Sequence, residues 1–414
     1  MPIKTGVLAA CIVLIGSISL ARGPAKPDPK DIQAVVQGAN DFAVDLYVRL
    51  SAEKPGNLFF SPASIGTALA MTYSGAAGET AKEMAKTLHY PLAADKLGPV
   101  YSALINTWNH PTESGRSQDK RPAFELIVAN RLWGGKNFGF KTGFLALVKQ
   151  NYGASVGELD FTKTDKSCRI INDWVAQQTK DKIKNLITKE ALNERTRLVL
   201  TNAIYFKSSW AAKFDEADTR DIPFKLTSRM SVDVPMMIQQ ENFGYMENDD
   251  LQLLELSFNG YALSMVVLLP KPGREADAQK SLTSASLDQW LKALKPSLVK
   301  VTLPKFKFSG EFMLADTLKA MGMADAFTNG ADFSGMTEKE QLFISQVIHK
   351  AFVDVDENGT EAAAATAVTM VAPTAALVRP NPKVFNADHP FVFLIRHNST
   401  GQILFMGRLA NPKG

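Results

Sequence analysis

The residue types that carry out catalysis are present in this chain of 414 residues, but their spacing forms no recognisable catalytic or metal site. Histidines at 89, 110, 349, 389 and 397 lack the paired spacing of zinc ligands. The HExxH, CxxC and GxSxG motifs are missing, and so are the glycine-rich loops that bind phosphates. We therefore expect no enzyme, no metal site and no cofactor.

The most unusual element is the segment 357–370, with the sequence ENGTEAAAATAVTM. Gly359 permits a sharp change in the backbone, and the β-branched residues after it favour a strand. Such a segment is typical of a chain that lies outside a sheet and can later join it. Alanine also favours helix, so a short helix or a linker at 361–367 is the alternative. One strand face would carry Thr360, Ala362, Ala364, Thr366, Val368 and Met370.

The residues before this segment predict a half-buried strand. Their side chains alternate, with apolar residues and one histidine on the same face. A paired strand would therefore continue directly into a second, unpaired segment. A histidine in such a strand is more often a hydrogen-bonded core group than a catalyst. The residues of this face are Val347, His349, Ala351, Val353 and Val355.

Helical periods dominate the first half of the chain and strand periods the second, which indicates an α+β fold rather than alternating βαβ units. Helical spacing predicts an amphipathic helix at 31–51. Ser61-Pro62 is typical of a helix start, and Thr80 with Glu83 predicts a capping box. Further predictions are strands at 124–133, 198–206, several within 222–269, and 299–308, a helix at 311–321, and a final apolar pair at 384–396 and 402–409.

Composition favours one large domain, which we place at 31–414. Apolar residues make up 45% and charged residues 21%, which is ordinary for a globular protein with a sizeable core. The net charge is +4, but basic and acidic residues are interleaved. A nucleic-acid role is therefore not expected.

The first residues predict export. Residues 1–21 combine Lys4, an apolar run at 6–20 and small residues before a cleavage point after Ala21, as in a signal peptide. A lipoprotein signal ending at Cys11 is the less favoured alternative, and the run is too short for a membrane span. Residues 22–30 then form a proline-rich linker. After cleavage Cys168 is the sole cysteine, so no internal disulfide is expected in the secreted, extracellular or periplasmic, protein.

A series of motifs then follows in one order from about residue 35 to 412. They are NLFFSPASI (57–65), LTNAIYFKSSW (200–210), VPMM (234–237), LPKF (303–306), ADFSGM (331–336), ISQVIHKA (344–351), the segment 357–366, HPFVFL (389–394) and FMGR (405–408). On these motifs the chain resembles the serpin family of serine protease inhibitors.

The resemblance implies an α+β fold of three β-sheets and eight or nine helices, with an exposed reactive loop. It also implies a mode of action, in which a target serine protease cuts the loop and becomes acylated, and the cut loop then inserts as a new strand. The implied partner is that protease in a covalent complex, with a cysteine protease as a further option. We expect a monomer without nucleic acid or stable membrane association. The alternative is a non-inhibitory carrier or chaperone-like relative.

Family correspondence assigns roles to individual residues. Trp210, Lys305 and Glu357 would support the origin of the loop, and an exposed Lys305–Glu357 pair would contribute only about 0–1 kcal/mol. A charge at Thr360 or a proline at Ala362 should turn the inhibitor into a cleaved substrate. The implied hinge is Glu357, Gly359, Thr360, Glu361, Ala362, Ala363, Ala364, Ala365 and Thr366, and the implied polar cluster beneath the point where the sheet opens is Ser61, Ser64, Asn202 and His349.

Family spacing from Glu357 places the reactive bond at Thr374 and Ala375, with Pro373 as an alternative. Pro373 would present an extended loop to enzymes with shallow specificity pockets, such as elastase-like or subtilisin-like proteases. Leu377 is a second alternative and would suit a chymotrypsin-like enzyme. Asn358 begins a glycosylation sequon, and a glycan there would obstruct insertion, so we expect Asn358 to be unmodified.

Overall fold

The computed structural model describes residues 26–109, 124–136, 138–339, 342–360 and 381–414. In these ranges no helix is both long and apolar enough to cross a membrane. The α-helices among the described residues are α1 (Pro29–Glu53), α2 (Pro62–Tyr73), α3 (Gly78–Thr87), α4 (Ala94–Asn109), α5 (Thr142–Tyr152), α6 (Thr164–Gln178), α7 (Glu275–Ser281), α8 (Ser284–Ala293) and α9 (Ala315–Ala320).

The strands pair into two hydrogen-bonded sheets. They are β1 (Leu58–Phe60), β2 (Phe124–Gly135), β3 (Val156–Leu159), β4 (Leu198–Ser209), β5 (Arg220–Lys225), β6 (Ser231–Glu247), β7 (Leu251–Ser257), β8 (Leu263–Pro270), β9 (Lys295–Pro304), β10 (Phe306–Met313), β11 (Ile344–Asp356), β12 (Gly359–Thr360), β13 (Lys383–Asn386), β14 (Phe391–His397) and β15 (Ile403–Leu409).

The larger sheet has nine strands, and its long strand β6 pairs with three neighbours at different points along its length. The first part of β6 pairs with β5 and its middle with β9, while its end pairs with β7. Two of the three sheets that the resemblance implies are thus joined through one strand. Together with the helices, this arrangement confirms the α+β fold.

The smaller sheet has the order β10–β11–β12–β4–β2–β3, with β11 also paired to β4. Its central strand β4 is buried on both faces, as its continuous apolar sequence predicts. Leu200 and Ile204 face the main core. Val199 and Ala203 face a second cluster that α6 completes with Ile171 and other residues.

Helices α1 and α2 confirm the predictions of a helix at 31–51 and of a helix start at Ser61-Pro62. α1 presents its apolar stripe to the core, and Ser61 caps α2 by accepting a hydrogen bond from the Ser64 amide at 3.2 Å. The capping box at Thr80 and Glu83 is wrong, because α3 already begins at Gly78. Both side chains bond instead to a distant loop, where the Asp325 amide donates to Glu83 and the Asp332 amide to Thr80.

Three boundaries in the second half differ from the sequence prediction. The strand predicted at 299–308 is two strands in different sheets, with the break at Lys305, whose amide donates to Pro235 O. The helix predicted at 311–321 is shorter, because β10 pairs with β11 as far as Met313. The strand predicted at 384–396 is also two, since β13 pairs in parallel with β9 and β14 pairs with β8 and β15.

Candidate functional site: the seam between β11 and β4

The candidate site is the line along which β11 and β4 meet, here called the seam. In its lower part the two strands pair directly and in parallel, from Ile344 opposite Leu198 to Phe352 opposite Tyr205. In its upper part the two residues of β12 lie between them. β12 is antiparallel to both neighbours. The central sheet is therefore closed below and already opened by one short strand at the top.

A tight turn brings β12 into this position. The Asp356 carboxylate accepts hydrogen bonds from the amides of Asn358 (2.8 Å) and Gly359 (3.1 Å), as short polar side chains do in turns. Gly359 has φ +145°, and a Cβ there would lie 2.1 Å from Ser208 O. The chain therefore reverses at Glu357-Asn358. The prediction that β11 continues directly into the next segment is wrong.

Thr360, the first side chain of the alternating face, is inside the sheet. It is 1% exposed and pairs opposite Val355 on one side and Ser208 on the other. Its hydroxyl accepts from the Ser208 amide at 3.0 Å and donates to the Ser208 carbonyl at 3.3 Å. A small polar side chain fits here because each of its polar atoms has a partner.

Trp210 closes the top of the seam. Its amide donates to Asn358 O at 2.8 Å, and its indole N–H donates to Asp356 O at 2.9 Å. The ring stacks on Phe258, with 4.7 Å between the centroids. Trp210 thus holds both ends of the turn against the β7–β8 hairpin, one through its main-chain amide and the other through its indole.

Glu357 anchors the turn from the other side. Its carboxylate accepts from Lys305 Nζ at 2.7 Å and from Thr219 Oγ1 at 2.8 Å. Burial acts to raise the pKa of Glu357, but these hydrogen bonds outweigh burial and hold the pKa below its ordinary value. The Glu357 side chain is only 5% exposed, against 37% for Lys305. The carboxylate of this pair is therefore buried, and the surface value of about 0–1 kcal/mol for an exposed pair does not apply to it.

A polar cluster lies beneath the lower seam, where Asn202 of β4 is opposite His349 of β11. The Ser61 amide donates to His349 Nε2 at 3.0 Å, so this nitrogen is an acceptor and Nδ1 donates to Asn202. Asn202 donates in turn to Ser64 Oγ at 2.6 Å. Burial lowers the pKa of His349 to about 3. Protonation of Nε2 would place two donors face to face, so the cluster requires a neutral imidazole.

Sequence reasoning missed several residues of the site. Asn130 of β2 bonds to both Asn202 and Ser64, and Thr219, Ser208, Asp356 and Phe258 contact the turn or Thr360. Of these, only Asp356 carries a local signal, because Asp-x-Asn-Gly is a turn sequence. The remainder of the proposed hinge and all reactive-bond candidates lie outside the described residues: Glu361, Ala362, Ala363, Ala364, Ala365, Thr366, Pro373, Thr374, Ala375 and Leu377.

No group of three or more metal-ligand side chains occurs in the described ranges. Cys168 is a free thiol on α6, half-buried rather than fully buried, and burial raises its pKa. A reactive thiolate is not favoured at this position.

Comparison with known proteins identifies the family. A family model described as Serpin (serine protease inhibitor) matches residues 37–412. The chain is a serpin. An uncharacterised serpin-like protein of Thermococcus kodakarensis is 42% identical to it, over 95% of this chain and 88% of the relative. The leukocyte elastase inhibitor of Xenopus laevis is 41% identical, over 90% of this chain and 97% of the relative.

Solved structures agree with this assignment. Human thyroxine-binding globulin, solved in complex with thyroxine, is 32% identical to this chain in sequence, and its structure superposes with a TM-score of 0.82. The superposition covers 92% of this chain and 99% of the globulin. The serpin fold is thus shared with a relative whose described role is ligand binding.

Proposed function

We propose that this serpin is a suicide inhibitor of serine proteases that acts by insertion of its cut loop into the seam. A protease would cut the loop between β12 and β13 and remain attached as an acyl-enzyme. The freed segment after Thr360 would then extend β12 downward between β11 and β4. The protein would be consumed in the process and would act as an inhibitor rather than as an enzyme.

The observation that carries the proposal is the position of β12. Gly359 and Thr360 already pair with both neighbours of the seam, in the antiparallel direction that an inserted strand would have. The next residues of the alternating face, Ala362, Ala364 and Thr366, are small. Small side chains can enter between two strands without the desolvation of a charge or a wide separation of the sheet.

The seam must be able to open for this mechanism. At the top, Trp210 and Glu357 hold the turn in place, so the start of the inserted strand stays fixed while the rest moves. Lower down, His349 and Asn202 join the two strands that must separate. We assign these residues to support of the loop origin and to control of sheet opening, respectively.

The favoured targets are elastase-like or subtilisin-like serine proteases, with reaction at Thr374–Ala375. The sequence before this bond, VAPT, suits a shallow specificity pocket, and several relatives are leukocyte elastase inhibitors. Leu377 and a chymotrypsin-like enzyme are the alternative. A cysteine protease could form the equivalent thioester at the same bond.

One experiment tests the mechanism. The protein is incubated with elastase and with subtilisin, and the products are separated on denaturing gels. The melting temperature is measured before and after cleavage of the loop. We expect a covalent complex that survives denaturation and a large rise in melting temperature of the cut protein. Cleavage without either result would contradict the proposal.

The second candidate is a carrier or chaperone-like binder, favoured by the structural similarity to thyroxine-binding globulin. Such a protein would be cut without trapping the protease and without a gain in heat stability. The small residues after Thr360 weigh against this candidate, because a carrier has no need of an insertable loop.

We also propose that the protein is exported after removal of residues 1–21. The apolar segment and the small residues before position 22 support this proposal. Mass spectrometry of the protein recovered outside the producing cell tests it. An N-terminus at Arg22 is expected, and a lipid-modified Cys11 would contradict it.

A further inference from the structure

The turn at the top of the seam contains a dipeptide with its own chemistry. The chain has Asn-Gly at 259–260, 329–330 and 358–359. In such a dipeptide the glycine amide nitrogen can attack the asparagine carboxamide carbon, because glycine has no side chain to hinder the approach. A carbon–nitrogen bond forms, ammonia leaves, and the product is a cyclic imide. Water then opens the ring at either carbonyl, to give aspartate or isoaspartate.

At Asn358-Gly359 the structure restrains the attacking amide and the main chain of the asparagine. The attacking group, the Gly359 amide, donates its hydrogen to the Asp356 carboxylate at 3.1 Å. The main chain of Asn358 is fixed at both ends, by Asp356 at its N–H and by Trp210 at its carbonyl. The carboxamide oxygen accepts a long bond from Lys213 Nζ at 3.4 Å.

The dipeptide at 329–330 provides a reference within the same chain. Asn329 and Gly330 are exposed. The Gly330 amide also donates a hydrogen bond, to the Thr328 hydroxyl at 3.1 Å, so the two sites differ in exposure and in strand pairing. Asn329 and Gly330 belong to no strand. Gly359, by contrast, lies in β12 between two strands. The same dipeptide therefore occurs once in an exposed turn and once in a turn whose glycine is paired with two strands.

We propose that Asn358-Gly359 is a deamidation site that is closed while the top of the seam is intact and reactive when the turn opens. The isoaspartate product would add one carbon to the main chain before Gly359. It would also place a carboxylate next to Glu357. Both changes oppose the register of Gly359 with Ser209 and Asp356, so the modified turn could not return to its place.

The consequence for inhibition rests on the proposed function. The slower deamidation of Asn358 in the intact turn, here called the gate, does not. If insertion of the loop starts from β12, a lengthened turn displaces the start of the inserted strand. Modified molecules would then be cut by the protease before insertion is complete. Spontaneous deamidation would thus remove the inhibitor without any second enzyme.

The gate is tested by incubating the folded protein in mildly alkaline buffer and quantifying deamidation at all three dipeptides by peptide mass mapping. We expect modification at Asn358 to be at least ~10-fold slower than at Asn329, since it requires local opening. In urea the two rates should become similar. Equal rates at Asn358 and Asn329 in the folded protein would overturn the proposal.

Two variants test the assigned contact. Asp356→Ala releases the Gly359 amide, and the rate at Asn358 should rise towards that at Asn329. Asp356→Asn keeps an acceptor oxygen and should behave like the unmodified protein. An unchanged rate in folded Asp356→Ala would refute the role of the carboxylate. If that variant does not fold, the comparison of native and urea-treated protein decides the question by itself.

The consequence is tested by separating aged molecules that carry isoaspartate at 358 and assaying them with the target protease. We expect the modified fraction to be cut without forming the covalent complex that the unmodified fraction forms. Equal trapping by both fractions would overturn the consequence. If neither fraction traps a protease, the proposed function fails while the result for the gate stands.

Discussion

The ionisation of His349 should make the stability of this serpin depend on pH in a defined window. Its pKa is about 3 in the folded protein, against an ordinary value of 6.5. Between these values the unfolded chain binds a proton that the native protein does not. The free energy of unfolding therefore falls as the pH drops from 6.5 towards 3.

The size of the effect follows from the two pKa values. Each unit of pH below the unfolded pKa removes roughly 1.4 kcal/mol, so at about pH 5 the loss is roughly 2 kcal/mol. The physical cause is twofold. The imidazole is fully buried, and its Nε2 already accepts the Ser61 amide, so a proton there has no acceptor to face.

The assay is the midpoint of urea unfolding as a function of pH, for the unmodified protein and for His349→Gln. Glutamine offers a donor and an acceptor but does not titrate in this range. We expect the variant to be less stable at neutral pH and to lose much less stability between about pH 6.5 and 5. His89→Gln, at a half-buried histidine paired with Asp45, is the control. Parallel pH profiles for the unmodified protein and His349→Gln would refute the reasoning.

Three further predictions concern the turn and the sequons. Thr360→Arg should raise the number of inhibitor molecules consumed per protease molecule inhibited, because a buried guanidinium delays insertion. Thr360→Ser keeps the hydroxyl and should leave this number unchanged. An equal number for Thr360→Arg and the unmodified protein in titrations with elastase would contradict the prediction. Glu357→Gln should lower the free energy of unfolding by roughly 1–3 kcal/mol in urea titrations, since a buried charged acceptor is lost. Asp316→Asn, which removes an exposed pair, should have no measurable effect. Asn398 begins a second glycosylation sequon, NST at 398–400. The mass of the intact protein should show no glycan at Asn358 or Asn398, and at Asn398 the reason is that its side-chain amide donates to Tyr261 O and accepts from Ser264. A glycan at either site would be the contrary result.

The parts of the fold that sequence predicts are those set by local pattern. Helix α1 and strand β4 follow from the spacing of their own apolar residues. Thr80 shows the limit of such patterns, because its partners lie about 250 positions away along the chain, in the loop that contains Asp325 and Asp332. Likewise the apolar pattern around Lys305 does not show that two sheets meet there, although Pro304 weighs against one continuous strand.

The candidate site divides in the same way. The resemblance named Ser61, Asn202 and His349, and the structure brings these side chains into one hydrogen-bonded group. The turn at Asp356 could not be predicted from alternation alone, because a strand pattern does not state whether the chain continues or reverses. Burial of Glu357 likewise depends on Thr219, which approaches from a separate segment.

The net gain from insertion follows from the pairing that the seam already has. A strand placed between β11 and β4 makes two ladders, but the parallel ladder of eight register pairs is lost. The net gain is one ladder, which at roughly 1 kcal/mol per hydrogen bond is on the order of 8 kcal/mol before ordering costs. A parallel pairing is also exchanged for two antiparallel ones, which are slightly more stable per residue. Because Gly359 and Thr360 already make both antiparallel pairings, each further residue of an inserted strand would repeat the same exchange, and the gain would accumulate as the strand moved down to His349.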